Sequence, residues 1–461
     1  MEQRMIDLQI HLDKQKEFFQ TGTTKDISFR IEQLKKLKQL LIDNEQLLID
    51  KVHKDFQKSA FETYATEIGL VITDINFTLK NIDSWTKQQS VSTPIVNFPS
   101  KNFIITEPYG SALIIAPWNY PILLSLQPLV GAIAAGNTAI LKPSELTPHT
   151  SSVIERLIYE SFDPEFLKVI LGGVEESSAL VKMDFDYIFF TGSTRVGKII
   201  MRDAAERLTP LTLELGGKSP CIVDETANLE ISAKRIAWGK FVNAGQTCVA
   251  PDYLLVEKSV KKEFIAHLKT AINQLYGNNP KESPDYPRII NDAHFDRLAS
   301  LLSDGETVVG GECDKDTKYI APTILNNISL EDKIMQDEIF GPILPVLDYT
   351  SVEDCISIIN ARPRPLALYI FTSNQKLEDR ILNSVSFGGG AVNDTIAQLG
   401  NHHLSFGGVG ASGFGSYHGK SSFDCFSHQK SVMKKPFWPD VPIRYAPYDD
   451  LKLGLVKKVL K

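Results

Sequence analysis

The chain is poor in cysteine: five in 461 residues, Cys221, Cys248, Cys313, Cys355 and Cys425, scattered and without a C-x-x-C pair. An odd, dispersed set excludes a disulfide framework and points to a reducing compartment. The first residues, Met1-Glu2-Gln3-Arg4-Met5-Ile6-Asp7, have no apolar signal core, and no run reaches the roughly 18 consecutive apolar residues that a membrane span needs. Cytoplasm is therefore the expected compartment. Basic residues are not in excess either: the net charge of −7 excludes general nucleic-acid binding, which requires a basic face. Internal repeats and low-complexity linkers are missing. His418 and the pair His402-His403 have no suitably spaced partners, so no metal site is expected and they read as loop or core residues.

What is present is ample apolar material. At 461 residues and 43% hydrophobic, the chain exceeds one core, and two or three domains are expected. Ile6 to about Trp85 has helical spacing with many charges, a helical lead-in. From residue 110 strands alternate with amphipathic segments: Ala112 to Ala116, Thr138 to Leu141, Leu167 to Leu171 and Tyr187 to Phe190. That alternation predicts right-handed β-α-β units, a parallel sheet and an α/β fold. Around Pro210 to Gly217 the chain is expected to cross into a second α/β domain, which begins Pro220-Cys221-Ile222-Val223 and holds a helix over Leu229 to Val242. The tail Leu451 to Lys461 is short, basic and amphipathic. Packing on a partner subunit is its expected use, with peripheral membrane contact as the alternative.

Three segments carry candidate chemistry. Cys248 lies in Asn243-Ala244-Gly245-Gln246-Thr247-Cys248-Val249-Ala250-Pro251, between a predicted helix and a β-rich run. Small flanking residues leave room for a substrate carbon, and backbone N–H groups at a turn stabilise negative charge, so the thiol is a candidate nucleophile; the alternative is a cysteine packing as a small hydrophobe. In Leu213-Glu214-Leu215-Gly216-Gly217-Lys218 a carboxylate sits among apolar residues. Such surroundings raise its pKa toward that of a useful general base, unless it is a strand-end Glu pointing to solvent. Asn119, in Ala116-Pro117-Trp118-Asn119-Tyr120-Pro121, follows a strand in a rigid turn and is either an oxyanion donor or an Asx-turn residue. The block Gly192-Ser193-Thr194-Arg195-Val196-Gly197 opens a helix after a strand, the context for phosphate binding, although it is not G-x-G-x-x-G.

These blocks, with Lys142-Pro143-Ser144-Glu145 and Glu338-Ile339-Phe340-Gly341-Pro342, occur in the order found in the aldehyde dehydrogenase superfamily, which the chain resembles from Lys25 to about Met433. Arg362-Pro363-Arg364-Pro365 and Phe406-Gly407-Gly408-Val409-Gly410-Ala411-Ser412-Gly413 resemble the class 3 type. The resemblance implies an NAD(P)-binding domain from 1–95 and 109–213, a catalytic domain over 214–415, bridging β segments at 96–108 and 416–438, and a tail from 439 to 461. Strands are implied at Val96 to Pro108 and Phe423 to Phe437. It implies NAD as cofactor, with NADP also accepted by class 3 relatives. Lys142 and Glu145 would meet the adenosine ribose, Gly192, Ser193, Thr194 and Gly197 would lie near the pyrophosphate or nicotinamide, and Glu338 would hold the nicotinamide ribose. Phe340 would pack beside the ring, and Trp118 belongs to the same set. An acidic Glu145 should repel a 2′-phosphate and favour NAD.

The implied activity is oxidation of an aldehyde to the acid. Cys248 would add to the carbonyl, Asn119 and the Cys248 N–H would hold the oxyanion, and Glu214 would activate water against the thioester. A coenzyme A-acylating relative would lack the base at Glu214, and a non-enzymatic binding protein on this fold would have lost the thiol or the base. Trp118, Tyr120 and Phe406 imply a hydrophobic aldehyde: medium- or long-chain, aromatic or isoprenoid-type. A homodimer is implied by the class 3 resemblance. Ser405, Ala411 and Phe414 depart from the proline, asparagine and methionine usual at those positions.

Overall fold

The computed structural model describes residues 2–460, with side chains from residue 6 onward; Met1 and Lys461, the outermost residues of the N-terminal and tail segments, lie outside it. The charged N-terminal segment forms helices Glu2–Gln20, Ile27–Asp43, Glu45–Phe56 and Gly69–Trp85. Asp26 caps the second of these, accepting the Ser28 N–H at 2.8 Å, while Leu34, Leu37 and Leu41 recur at helical spacing and are completely buried. Between Phe56 and Gly69 the chain makes a short helix, Ala60–Thr63, and a π-helical turn, Tyr64–Ile68, which periodicity does not reveal.

The first sheet contains Ser111–Ile115, Thr138–Lys142, Leu167–Val169, Tyr187–Thr191 and Leu211–Glu214, all parallel, with Gly413–Phe414 added antiparallel beside Leu211–Glu214. Ser111–Ile115 lies between Thr138–Lys142 and Tyr187–Thr191, so the strand order reverses on either side of it. A parallel sheet of this kind opens a crevice at the carboxyl ends of those neighbouring strands, which is where Trp118, Asn119 and Gly192 follow. Both faces of the sheet are covered. Helix Leu123–Ala135, buried along nearly its whole length, packs with the N-terminal helices on one face, and Leu113, Ile188 and Leu215 join a core on the other.

Glu214 ends the first sheet, and Pro220–Val223 begins the second. That sheet runs Glu306–Val309, Thr323–Asn326, Ile343–Tyr349, Tyr253–Glu257, Pro220–Val223, Ala367–Phe371 and Gly389–Val392, parallel except for its first strand. The carboxyl edge of one sheet therefore faces the amino edge of the other across 215–219. Helix Leu229–Phe241, capped by Asn228, feeds the loop that carries Cys248.

A third, antiparallel sheet joins Gln89–Val91, Lys101–Pro108 and Ser427–Lys434. The expected strand beginning at Val96 starts instead at Lys101, after a 3-10 turn at Ile95–Asn97. The one expected from Phe423 starts at Ser427. Phe423 is buried in helix Lys420–Cys425, its ring 5.6 Å from Trp85, and an i,i+4 Lys420–Asp424 pair lies on the same helix. The tail forms helix Asp450–Val459, with Leu451, Leu453 and Val459 exposed. No helix among the described residues is long and apolar enough to cross a membrane.

Candidate active site

The loop before Cys248 is bent by consecutive left-handed residues, Asn243 at φ 55°, Ala244 at φ 51° and Gly245 at φ 71°. Gly245 has no alternative here, since a Cβ would lie 2.3 Å from the Gly341 carbonyl oxygen. Gln246, fully buried, clamps the turn: its Nε2 donates to the Asn243 and Arg288 carbonyls, both at 3.1 Å, and its Oε1 accepts the Ile290 N–H at 3.0 Å. Cys248 is half-buried. Burial pushes its thiol up to about 12, the charges of Glu338 and Glu214 push the same way, and the N–H groups of Cys248 and Val249 pull it down. The resting sulfur is therefore protonated.

Asn119 is buried beside this loop. Its Nδ2 donates to the Gln246 carbonyl at 3.0 Å, and its own carbonyl accepts from Asn243 Nδ2 at 2.8 Å. The Tyr120 hydroxyl shares a 2.7 Å hydrogen bond with Thr247 Oγ1. The turn after the first strand and the thiol loop thus form one unit, although over 120 residues separate them.

Glu214 is buried, neither carboxylate oxygen has a hydrogen-bond partner, and burial alone raises its pKa well above the usual value. The glycines after it admit a second carboxylate. A Cβ on Gly216 would meet Glu338 Oε2 at 2.2 Å. Burial, then Asp252, lifts the Glu338 carboxyl to about 8, while the Gly217 N–H draws it down; Glu338 Oε1 is shielded and unpartnered. The Glu338 segment is held by a pair the sequence reading passed over. Lys218 Nζ lies 2.6 Å from Asp252 and also donates to the Ile334 and Asp337 carbonyls, while Asp252 Oδ1 accepts the Ile339 N–H at 3.0 Å. Gly216→Ala is accordingly expected to displace Glu338, with an overpacking cost of about 1–3 kcal/mol. NAD titration of the variant checks this, and unchanged affinity together with unchanged Tm would contradict it.

Lys142, buried at a strand end, donates to the Pro143 carbonyl at 2.8 Å and lies 3.8 Å from the exposed Glu145 carboxylate. Ser193 caps helix Thr194–Ala205, accepting the Val196 N–H. Thr194 Oγ1 donates to the Ala411 carbonyl at 3.1 Å, and Gly192 donates its N–H to the Glu214 carbonyl at 3.0 Å. Gly197 faces protein: a Cβ there would lie 2.7 Å from Leu215 Cδ2, so its bareness lets the helix pack closely. Phe340, at φ 51°, sets its ring edge-on to Trp118 with centroids 5.4 Å apart, and Trp118 also contacts His294. A cavity of about 310 Å³ is lined by Val249, the residue after Cys248, with Leu404, Ser405, Phe406 and His418 among others. His418 stacks on Phe406, and burial lowers its pKa to about 3, so it presents a neutral ring. Among the described residues no three His, Cys, Asp or Glu side chains converge as metal ligands.

A thiol, an unpartnered buried carboxyl and a hydrogen-bonded carboxamide thus come together where the first sheet passes into the second. The chain belongs to the aldehyde dehydrogenase family, whose profile matches residues 7–432, and is an oxidoreductase acting on the aldehyde group. It is 52% identical to 4,4′-diaponeurosporen-aldehyde dehydrogenase of Staphylococcus aureus over 94% of this chain and 95% of that one. Identity to aldehyde dehydrogenase family 3 member A2 of Rattus norvegicus is 44%, over 95% and 91%. Among solved structures, the substrate-bound state of Staphylococcus aureus AldH superposes with a TM-score of 0.96 at 50% identity, covering 98% and 99% of the two chains. An indole-3-acetaldehyde dehydrogenase complexed with NAD+ gives 0.86 at 28%, covering 94% and 89%.

Proposed function

We propose that this chain oxidises a hydrophobic aldehyde to its carboxylic acid with NAD, using Cys248 as nucleophile, Glu214 as general base and Asn119 as oxyanion donor. The observation that carries the reading is the buried Glu214 carboxyl, both of its oxygens without a hydrogen-bond partner, whose charge acts on the half-buried Cys248 thiol. Glu214 takes the thiol proton, directly or through water, as sulfur adds to the aldehyde carbon. The new oxyanion is met by Asn119 Nδ2, turned from the Gln246 carbonyl, and by the Cys248 N–H. Bound NAD would supply the hydride acceptor, and loss of hydride from the tetrahedral adduct would leave the acyl group on Cys248 as a thioester. Glu214 passes the thiol proton to solvent, then removes a proton from water as it attacks the thioester, and that proton returns to the sulfur as the thiol departs and the acid is released.

The residues present suit NAD. Glu338 offers an unused carboxylate oxygen over the bare Gly216 backbone, fit for ribose hydroxyls, and the exposed Ser193 end of a helix of 12 residues is fit for pyrophosphate. Lys142 and Glu145 would hold the adenosine ribose, Glu145 disfavouring a 2′-phosphate. Gly192 and Thr194 line that approach, Gly197 acts by close packing, and Phe340 with Trp118 would flank the nicotinamide. The relatives named for a diaponeurosporenal-type and an indole-3-acetaldehyde substrate, and the Leu366, Leu399, Leu404 and Phe406 side of the cavity beside Val249, support a long, aromatic or isoprenoid-type aldehyde.

Absorbance at 340 nm with NAD or NADP and decanal or benzaldehyde tests the function. Cofactor reduction without coenzyme A is expected, faster with NAD; silence until coenzyme A is added would establish the acylating alternative. The exposed Leu451, Leu453 and Val459 and the edge strand Ser427–Lys434 support a homodimer rather than membrane contact, and light scattering that reports one chain would overturn it. Five free thiols suit a reducing compartment such as the cytoplasm.

A further inference from the structure

A second cluster of charges lies behind the nucleophile loop and takes no part in the chemistry above. Lys58 and Glu67 form an ion pair at 2.8 Å with both side chains wholly enclosed. Glu67 Oε2 accepts the N–H groups of Ile122 and Leu123 at 2.8 and 3.3 Å, where the long buried helix begins. Lys58 Nζ stands 4.0 Å from the Tyr120 ring centroid. These groups satisfy one another and brace Tyr120.

Glu62 does something different. It sits on the short helix before the π turn, and its Oε1 accepts the backbone N–H of Asn243 at 2.9 Å, 181 residues away. Asn243 is the first left-handed residue of the nucleophile loop. A residue with a Cβ adopts that conformation at a cost, and it persists only where surrounding contacts fix it. Burial lifts the Glu62 carboxyl to about 7, so above that pH it is ionised, and a hydrogen bond to a carboxylate is about twice as strong as one between neutral groups. Once Asn243 is set, its Nδ2 donates to both the Asn119 carbonyl, at 2.8 Å, and the Gln246 carbonyl, at 3.1 Å. Asn119 Nδ2 in turn rests on the Gln246 carbonyl. The chain of contacts runs Glu62, Asn243, Asn119, and ends two residues from Cys248.

We propose that Glu62 is a positioning residue for aldehyde oxidation: by holding the Asn243 N–H it fixes the left-handed turn that places the Asn119 amide beside Cys248. The inference rests on Asn119 being the oxyanion donor. Loss of Glu62 should therefore slow formation of the thioester without affecting cofactor binding, and its effect should vanish once Asn119 is gone.

Single-turnover NADH bursts with decanal, NAD Kd from fluorescence titration and Tm are measured for the wild type, Glu62→Leu, Glu62→Gln, Asn119→Ala and the Glu62→Leu, Asn119→Ala double variant. Glu62→Leu is expected to slow the burst about 30-fold, part of the ~10²–10³ that loss of an oxyanion donor costs. Glu62→Gln, which keeps an acceptor oxygen, should stay within about threefold, and every NAD Kd within about twofold, since no contact to the cofactor is removed. Adding Glu62→Leu to Asn119→Ala should cost less than about twofold, because the two act as one unit. Should Glu62→Leu fail to fold, Glu62→Asn, too short to reach the Asn243 N–H, is read the same way. A Glu62→Leu burst at the wild-type rate, a loss that multiplies with that of Asn119→Ala, or a loss matched by weakened NAD binding would overturn the inference alone. A wild type with no burst, or an Asn119→Ala variant with an unchanged one, would overturn the proposed mechanism and this inference with it.

Discussion

Replacing Cys248 with alanine is expected to lower aldehyde-dependent NADH formation by about 10⁴-fold or more while leaving NAD affinity intact, because the reaction loses its only covalent route. The structure makes a further demand on this residue. Burial, reinforced by Glu338 and Glu214, pushes the thiol up to about 12. At pH 8 the thiol is then overwhelmingly protonated, so the nucleophile must be generated within the site rather than waiting there. The sign is clear: a raised thiol pKa favours the protonated form at all ordinary pH values. Iodoacetamide labelling of Cys248 in the cofactor-free protein, followed by mass spectrometry, should be slow at pH 7 and still rising at pH 10. Labelling that levels off near pH 7, or an alanine variant that turns over at the parental rate, would defeat this account.

Glu214→Gln should give the opposite kinetic shape. Thioester hydrolysis needs a base and the amide cannot serve, so steady-state turnover is expected to fall by ~10²–10³, while the first burst of NADH keeps its amplitude but forms more slowly because the thiol proton must then leave to water rather than to Glu214. Because burial raises the Glu214 pKa, the carboxyl is neutral below a midpoint above the usual carboxylate range and becomes a base only above it. Wild-type kcat should therefore climb with pH through that midpoint, and the Gln variant should lose the climb. Stopped-flow absorbance at 340 nm between pH 6 and pH 10 measures both; parental steady-state turnover in Glu214→Gln would remove the carboxyl from the mechanism.

The geometry explains why some of this was legible in the residues and some was not. Leu213-Glu214-Leu215 has apolar neighbours in sequence, and those neighbours lie in the strand that buries the carboxyl, so its character could be read locally. Helix Leu229–Phe241 and strand Pro220–Val223 likewise follow from short-range periodicity and an Asn cap. Glu338 was different: between Asp337 and Ile339 it reads locally as a surface charge, only the resemblance to the family pointed to it, and folding alone brings it against the bare Gly216 backbone. Asn243 and Glu62 gave no signal, since nothing in Phe61-Glu62-Thr63 indicates a partner far along the chain. Phe423, expected in an extended segment, is drawn into a helix because its ring fills a space beside Trp85.

The sequence by itself determined the α/β alternation, the candidate thiol and base, the lack of disulfides and membrane-spanning runs, and the order of blocks that marks the family. Each is written in residue type and near-neighbour spacing, the range over which helix and strand periodicity and capping act. Tertiary structure alone decided which charges surround Cys248, which glycine admits Glu338, that Gly197 packs against Leu215, and that Glu62 reaches the nucleophile loop. Those outcomes depend on burial and on distances of a few ångströms between segments far apart in the chain, and both exist only once the two parallel sheets face each other across residues 215–219.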